Sequence, residues 1–271
     1  MLTHPTLDQL RALKLDGMAQ AFVELETQEE VRNLAHPEWL ALLLDREVAY
    51  RNTRRFQTRL RSARLRHSQA AIEDVDFRTP RRVDKALFQQ LATCGWIAEH
   101  RGLLITGPCG VGKSWLSCAL AQKACRDGYT VHYARVPRLF ADLDLAHGDG
   151  RFARLFRMLV KVDLLVLDDW GPDRLSASQR RDLMEIVEDR HGRGSLLITS
   201  QLPVTTFMRL SARPLSAMRY WIVSSTTPTG SSSTARQCAS SKPAKKSSRL
   251  CSRRRRSQPM ATRPREQRNE E

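Results

Sequence analysis

A chain of 271 residues with 41% apolar content is long enough for one sizeable α/β domain plus a smaller one, and no apolar run in it approaches a membrane span. Its net charge of +16 is uneven: residues 205–271 hold 15 Lys+Arg against 3 Asp+Glu, which leaves residues 1–204 at about +4. The basic balance is therefore a property of the tail and not the signature of a folded nucleic-acid surface. The cysteines Cys94, Cys109, Cys118, Cys125, Cys238 and Cys251 form no C-x-x-C pair and no metal-ligand spacing. Free thiols in a reducing compartment are expected. The start, Met1-Leu2-Thr3-His4-Pro5, lacks the basic-then-apolar pattern of a secretory signal, so a cytoplasmic location away from membranes is expected.

Residues 1–80 read as helical: Leu7, Leu10, Leu13, Leu15 and Met18 recur at roughly helical spacing, as do Leu40, Leu43, Leu44 and Val48. Eight arginines follow (Arg46, Arg51, Arg54, Arg55, Arg59, Arg61, Arg64 and Arg66), opposed only by Glu47. Nothing from Glu47 to Arg66 breaks a helix. Such a face either neutralises DNA phosphates in a salt-dependent way or is a solvated helix surface, and the two readings stand level on sequence alone. Residues 72–90, with Pro80, read as a connector leading into a short helix.

Near Gly102 short apolar runs begin to alternate with helical stretches. Strands are expected at 103–106, 129–134, 163–167 and 195–199, and helices at 114–127, 137–160 (broken by Gly148-Asp149-Gly150) and 177–191. This alternation implies an α/β fold, a parallel sheet with helices on both faces. Trp96, Trp115 and Trp170 are expected to pack rather than stack on bases. After Val204 the apolar spacing fits neither period; Ser, Thr, Pro and Arg dominate, and the composition is that of a disordered basic tail. Three parts are therefore expected: a helical N-terminal domain over 1–80, a P-loop core over 81–204 and a tail over 205–271.

The chemistry is concentrated in Gly107-Pro108-Cys109-Gly110-Val111-Gly112-Lys113-Ser114, a P-loop (Walker A) pattern that follows an expected strand and opens an expected helix. Its glycines allow positive φ, so that backbone N–H groups face phosphates, and the helix N-terminus adds partial positive charge. Lys113 is expected to reach the β- and γ-phosphates of ATP, and Ser114 to offer its hydroxyl to Mg²⁺. A second motif, Asp163-Leu164-Leu165-Val166-Leu167-Asp168-Asp169, is an apolar strand ending in two acids. Asp168 suits Mg²⁺, through water, and Asp169 suits a general base that polarises the attacking water, although the pair could also simply cap a turn. At the tip of the fourth strand Gln201, or failing that Ser200, is the candidate to sense the γ-phosphate. A small-molecule kinase is disfavoured, because no lid segment or acceptor-pocket pattern is visible.

The P-loop, the stretch Lys123-Ala124-Cys125-Arg126-Asp127-Gly128-Tyr129, the run Arg135-Val136-Pro137-Arg138-Leu139-Phe140-Ala141, the acid pair in its Leu-Leu-Val-Leu-Asp-Asp-Trp-Gly setting, Thr199-Ser200-Gln201-Leu202-Pro203 and the N-terminal Leu-x-x-Leu-x-Leu-x-Gly-Met pattern (Leu10–Met18) together resemble the IstB-like transposition helper ATPases. These are AAA+ relatives of DnaC-type helicase loaders. The resemblance covers residues 7–204. It implies a protein that binds ATP, self-associates on double-stranded DNA and directs an integrase-type transposase to its target. A helicase loader in replication is the alternative within the class.

Beyond Val204 the chain departs from the family's pattern, which continues with Asp-Ala-Ile-Leu-Asp-Arg, two apolar residues and His-Asn-Ala. Codons for Met218-Arg219-Tyr220-Trp221-Ile222-Val223 read one base earlier give Ala, an Ile/Leu/Val, Leu and Asp, with Arg permitted next, provided the Arg219 codon begins with C. A change of reading frame close to residue 205 is inferred. Its expected consequences, for a sheet of order 5-1-4-3-2, are an exposed edge on the strand bearing the P-loop and the loss of an arginine that serves phosphoryl transfer. A remnant that binds ATP but hydrolyses it poorly is thus the second functional reading.

Overall fold

Pro5 and Pro37 each stand in the first turn of a helix, where the missing N–H costs nothing. In the computed structural model, which describes residues 4–28, 35–78, 83–171, 175–204 and 220–224, they open α1 (Pro5–Ala12) and α3 (His36–Ala63), with α2 (Asp16–Glu26) between. Met18, Ala21, Phe22 and Leu25 of α2 pack on Leu43 of α3 in a small core of their own. The two helices approach closely at Gly17, where a Cβ would lie 2.7 Å from Tyr50 Cβ and 2.8 Å from Glu47 Cα. Beside it the buried Glu47 carboxylate accepts from the Met18 amide at 3.0 Å and from Arg51 Nε at 2.6 Å. The C-terminal half of α3 runs on into the main core, with Phe56, Leu60 and Ala63 packed there. A 3-10 turn at Ile72–Asp74, α4 (Lys85–Ala92) and α5 (Gly95–Ala98) complete the approach to the sheet.

Leu103-Leu104-Ile105, Leu164-Leu165-Val166-Leu167 and Leu196-Leu197-Ile198 show no polar alternation, as strands covered on both faces require. They belong to β1 (Gly102–Thr106), β3 (Leu164–Trp170) and β4 (Ser195–Ser200). With β2 (Val131–Arg135) and β5 (Tyr220–Ser224) these form one parallel sheet in the order β2-β3-β4-β1-β5. The crossovers are α6 (Lys113–Arg126) after β1, α7 (Val136–Asp149) and α8 (Phe152–Lys161) after β2, and α9 (Ala177–Arg190) after β3. Alternate strand residues serve opposite cores: Leu103, Ile105, Val166 and Leu197 meet α6 and the end of α3, whereas Leu104, Leu165, Leu167, Leu196 and Ile198 meet α7, α8 and α9. The expected break at 148–150 is the end of α7, capped by Gly150 at φ 76°. Trp96 and Trp170 are buried, and the Trp96 indole donates to Leu91 O at 3.0 Å.

One expectation is corrected. The chain does carry a strand after Val204, and the edge of β1 is not left open. Tyr220–Ser224 pair along the whole of β1, from Gly102↔Tyr220 to Thr106↔Ser224, with Val223 buried. The reason is twofold: Tyr220-Trp221-Ile222-Val223 is an aromatic and β-branched run, which suits a strand, and β1 offers it a full row of backbone partners. The sheet order is the expected one, with this run in fifth place. Otherwise the expected disorder of residues 205–271 falls outside the described residues.

Candidate nucleotide-binding site

β1 lies inside the sheet between β4 and β5, so its C-terminal end emerges one strand in from the outer strand β5. The loop that follows turns back into α6 through Gly110 (φ 82°) and Gly112 (φ 86°), conformations that a Cβ disfavours. Gly112 caps α6 without a side-chain hydrogen bond, leaving the first-turn amides free of a side-chain acceptor. Those donors, at the positive end of a fourteen-residue helix, suit a polyphosphate. Lys113 opens the helix and is buried; its ammonium donates to Gly107 O at 2.8 Å and Pro108 O at 2.7 Å. Burial lowers its pKa, against the nearby Cys109, Asp168 and Asp169, which favour the charged form. Cys109 and Val111 line the turn, with Cys109 exposed.

The acid pair lies across from the P-loop at the end of β3. Asp168 has no exposed surface. It accepts from Ser114 Oγ at 2.9 Å and Thr199 Oγ1 at 2.5 Å on Oδ1, and from Tyr133 Oη at 2.5 Å on Oδ2. The P-loop serine and the first acid, 54 residues apart in sequence, are thus joined directly. Oxygen ligands of this kind, hydroxyl and carboxylate, suit a hard cation such as Mg²⁺.

Asp169 is placed differently. β3 bulges between Leu167 and Trp170, and Asp169 sits there at φ 63°, a left-handed conformation that Asp tolerates better than most residues. The bulge turns its carboxylate to the rim, where Oδ2 meets Arg135 Nη2 at 2.6 Å and Oδ1 accepts from Gln201 Nε2 at 3.3 Å. The bond from Arg135 holds the Asp169 carboxyl below its ordinary pKa, burial opposes this, and Gln201 assists it. Of the two candidates at the tip of β4, Gln201 therefore faces the second acid. Ser200 is buried, donates its hydroxyl to Trp170 O at 3.0 Å and lends its carbonyl to the Gly107 amide at 3.2 Å.

Three residues absent from the sequence-based list belong to this cluster: Tyr133, Arg135 and Thr199. Thr199 also accepts from the Asp169 amide at 2.9 Å, so one hydroxyl ties both acids to β4. Thr199 is the residue before Ser200, and strand alternation could have flagged it; Arg135 opens the run Arg135–Ala141 but nothing in that run points to the acid pair, and Tyr133 carries no motif signal. The basic stretch is partly committed within the protein. Arg51 pairs with Glu47, Arg54 with Asp16 at 3.6 Å and Arg46 with Glu24 at 3.9 Å, and Arg59 donates to Cys125 O at 2.8 Å. Arg55, Arg61, Arg64 and Arg66 are exposed.

A family profile described as IstB-like ATP binding protein matches residues 8–212. The chain belongs to the IstB-like ATP-binding protein family. Among the relatives of this IstB-like chain, one from Sinorhizobium fredii, named as an insertion sequence ATP-binding protein (y4pL), is 56% identical over 214 residues, covering 79% of this chain and 87% of the relative. Another, named for insertion sequence IS1162 of Pseudomonas fluorescens, is 45% identical over 231 residues, covering 85% of this chain and all of the relative. Among solved structures, DnaI superposes with a TM-score of 0.51 at 22% identity, covering 58% of this chain and 90% of that one, a likeness of fold alone. The family is described as ATP-binding, and its match spans the P-loop and the acid pair.

Proposed function

We propose that this IstB-like protein is a DNA-dependent ATPase that assists an integrase-type transposase by assembling on double-stranded target DNA in the cytoplasm. The observation that carries the reading is the junction of the P-loop with the acid pair through the Ser114–Asp168 hydrogen bond. In this reading the loop amides and Lys113 bind the phosphates. The Ser114 hydroxyl, with Asp168 acting through water, would hold Mg²⁺, which supplies neutralising charge at the phosphates. Asp169 takes the proton of the attacking water, for which it must first leave Arg135, since a carboxylate held by a guanidinium is a weaker base. Gln201, bonded to Asp169 at the same rim, is placed to report the γ-phosphate.

Residues 1–80 are read as the part that meets DNA and partner, through the exposed arginines of α3 and the turn after it; residues 81–204 as the ATPase core; residues 205–271 as a basic tail that follows a change of frame. The names of the relatives, which tie them to insertion sequences and ATP, support the transposition context. A second reading, binding without efficient turnover, is favoured by the sequence after Val204, where the arginine of the family pattern is missing. The test is DNA-stimulated ATP hydrolysis by this chain and by a frame-restored version, each with a Lys113→Ala control, after resequencing of the gene around codon 205. Hydrolysis abolished by Lys113→Ala in both chains supports the helper ATPase. Turnover by the restored chain alone supports the second reading. An absence of nucleotide binding by either chain sinks both.

A further inference from the structure

Asp168 is buried with all its oxygen valences nearly spent. Two hydroxyls, those of Ser114 and Thr199, occupy Oδ1, and the Tyr133 hydroxyl occupies Oδ2. A carboxylate oxygen has two lone-pair directions, so Oδ1 is saturated and Oδ2 retains one. The Tyr133 hydroxyl therefore selects the direction in which Asp168 can still accept a hydrogen bond.

Tyr133 is well placed for that task. β2 pairs with β3 in the register Tyr133↔Val166 and Arg135↔Asp168, so the ring reaches Asp168 from the neighbouring strand. It is buried in the α6 core. The core needs only the ring, which Phe would supply equally. The hydroxyl's one described partner is Asp168, and its 2.5 Å separation is that of a strong O–H···O⁻ bond.

We propose that Tyr133 is a positioning residue for the divalent cation of the nucleotide site: it clamps Asp168 so that one carboxylate oxygen holds the Ser114 hydroxyl and the free lone pair of the other receives a cation-bound water. The inference rests on the nucleotide-site reading above. Residues that orient metal ligands in this way typically change metal affinity by about 10–100-fold when removed.

The test is a Mg²⁺ titration of N-methylanthraniloyl-ATP fluorescence with the full chain and its Tyr133→Phe variant. The expected result is a metal-free nucleotide affinity within about twofold of the unaltered chain, because the described hydrogen bond of the Tyr133 hydroxyl goes to Asp168 and not to the P-loop, and a Mg²⁺ midpoint about tenfold higher. A lowered Tm with an unmoved midpoint would mean that the hydroxyl only stabilises the fold, and would overturn the proposal. Should Tyr133→Phe alone not fold, the comparison is made in an Asp168→Asn background, where no buried charge is left unpaired. There Tyr133→Phe is expected to shift the midpoint no further, and a further tenfold shift would show that it acts elsewhere. Nucleotide binding by the unaltered chain that ignores Mg²⁺ sinks this inference and leaves the nucleotide site standing; no nucleotide binding at all sinks both.

Discussion

Asp169 combines an unfavourable left-handed backbone with a carboxylate held by Arg135. Such strain persists where the surroundings over-determine it, here through the Thr199 bond to its amide and the bulge in β3. Asp169→Asn keeps the residue type's tolerance for this conformation. It is expected to leave nucleotide binding intact while lowering hydrolysis by about 10²–10⁴-fold; equal hydrolysis would remove Asp169 as the base. Arg135→Ala tests the other contact. Arg135 depresses the folded-state pKa of Asp169, so the stabilisation from the pair is complete above the ordinary carboxylate range and disappears as pH falls through the lowered value. Losing Arg135 returns that pKa upward. The acid limb of the pH–rate profile is then expected to move to higher pH. Because Arg135 is half exposed, the stability lost at neutral pH is no more than about 1 kcal/mol by urea titration.

Among the elements, α2 and α3 depend on one glycine and one buried acid. A methyl at Gly17 meets the backbone of α3 at Glu47 Cα and Arg46 O, which no side-chain rotation relieves. Gly17→Ala is expected to cost about 1–3 kcal/mol, read as protection lost from amide exchange in α2 and α3 while the sheet amides stay protected. The second joint is Arg190, which has no exposed surface. Its guanidinium donates to the carbonyls of Leu159, Val160, Val162, Asp163 and Ser195, satisfying the end of α8 and tying it to the starts of β3 and β4. Gly194 has no side chain because a Cβ there would lie 2.7 Å from Arg190 Nη2. Replacing Arg190 with Met strands several buried carbonyls, and a loss of at least about 3 kcal/mol is expected in chemical denaturation; a loss below about 1 would show that water replaces the guanidinium.

For the molecule as a whole, the question is what completes the sheet. β5 pairs along β1, the strand that delivers the P-loop, so the edge on that side is covered. Val223→Asp places a charge in the buried contact and is expected to lower Tm by several degrees and to raise light scattering as the edge of β1 opens. Truncation after Val204 should reproduce both effects. If neither change alters Tm or scattering, β5 does not contribute to the folded sheet. The frame-restored chain is expected to match or exceed this chain in Tm, because the family's own strand would take the same place.

Much of this was legible in the sequence, because it depends on neighbours along the chain. Unbroken apolar runs mark buried strands, the Gly-rich turn needs positive φ within a few residues, and two acids at a strand tip need only that strand, so the parallel sheet, the pattern Gly107–Ser114 and the pair Asp168-Asp169 could be read from residue types and spacing, whereas the strand order was expected only from the resemblance to AAA+ proteins. The partners of the acids could not. Tyr133, Arg135 and Thr199 meet them across strands, and a register of pairing is a property of the folded sheet. The close approach at Gly17 and the buried bonds of Arg190 likewise join segments distant in sequence. β5 lies between these cases: Tyr220-Trp221-Ile222-Val223 has a strand's composition, but four residues amid polar sequence carry no periodic signal. Only the open edge of β1, created by the rest of the fold, decides that they pair there.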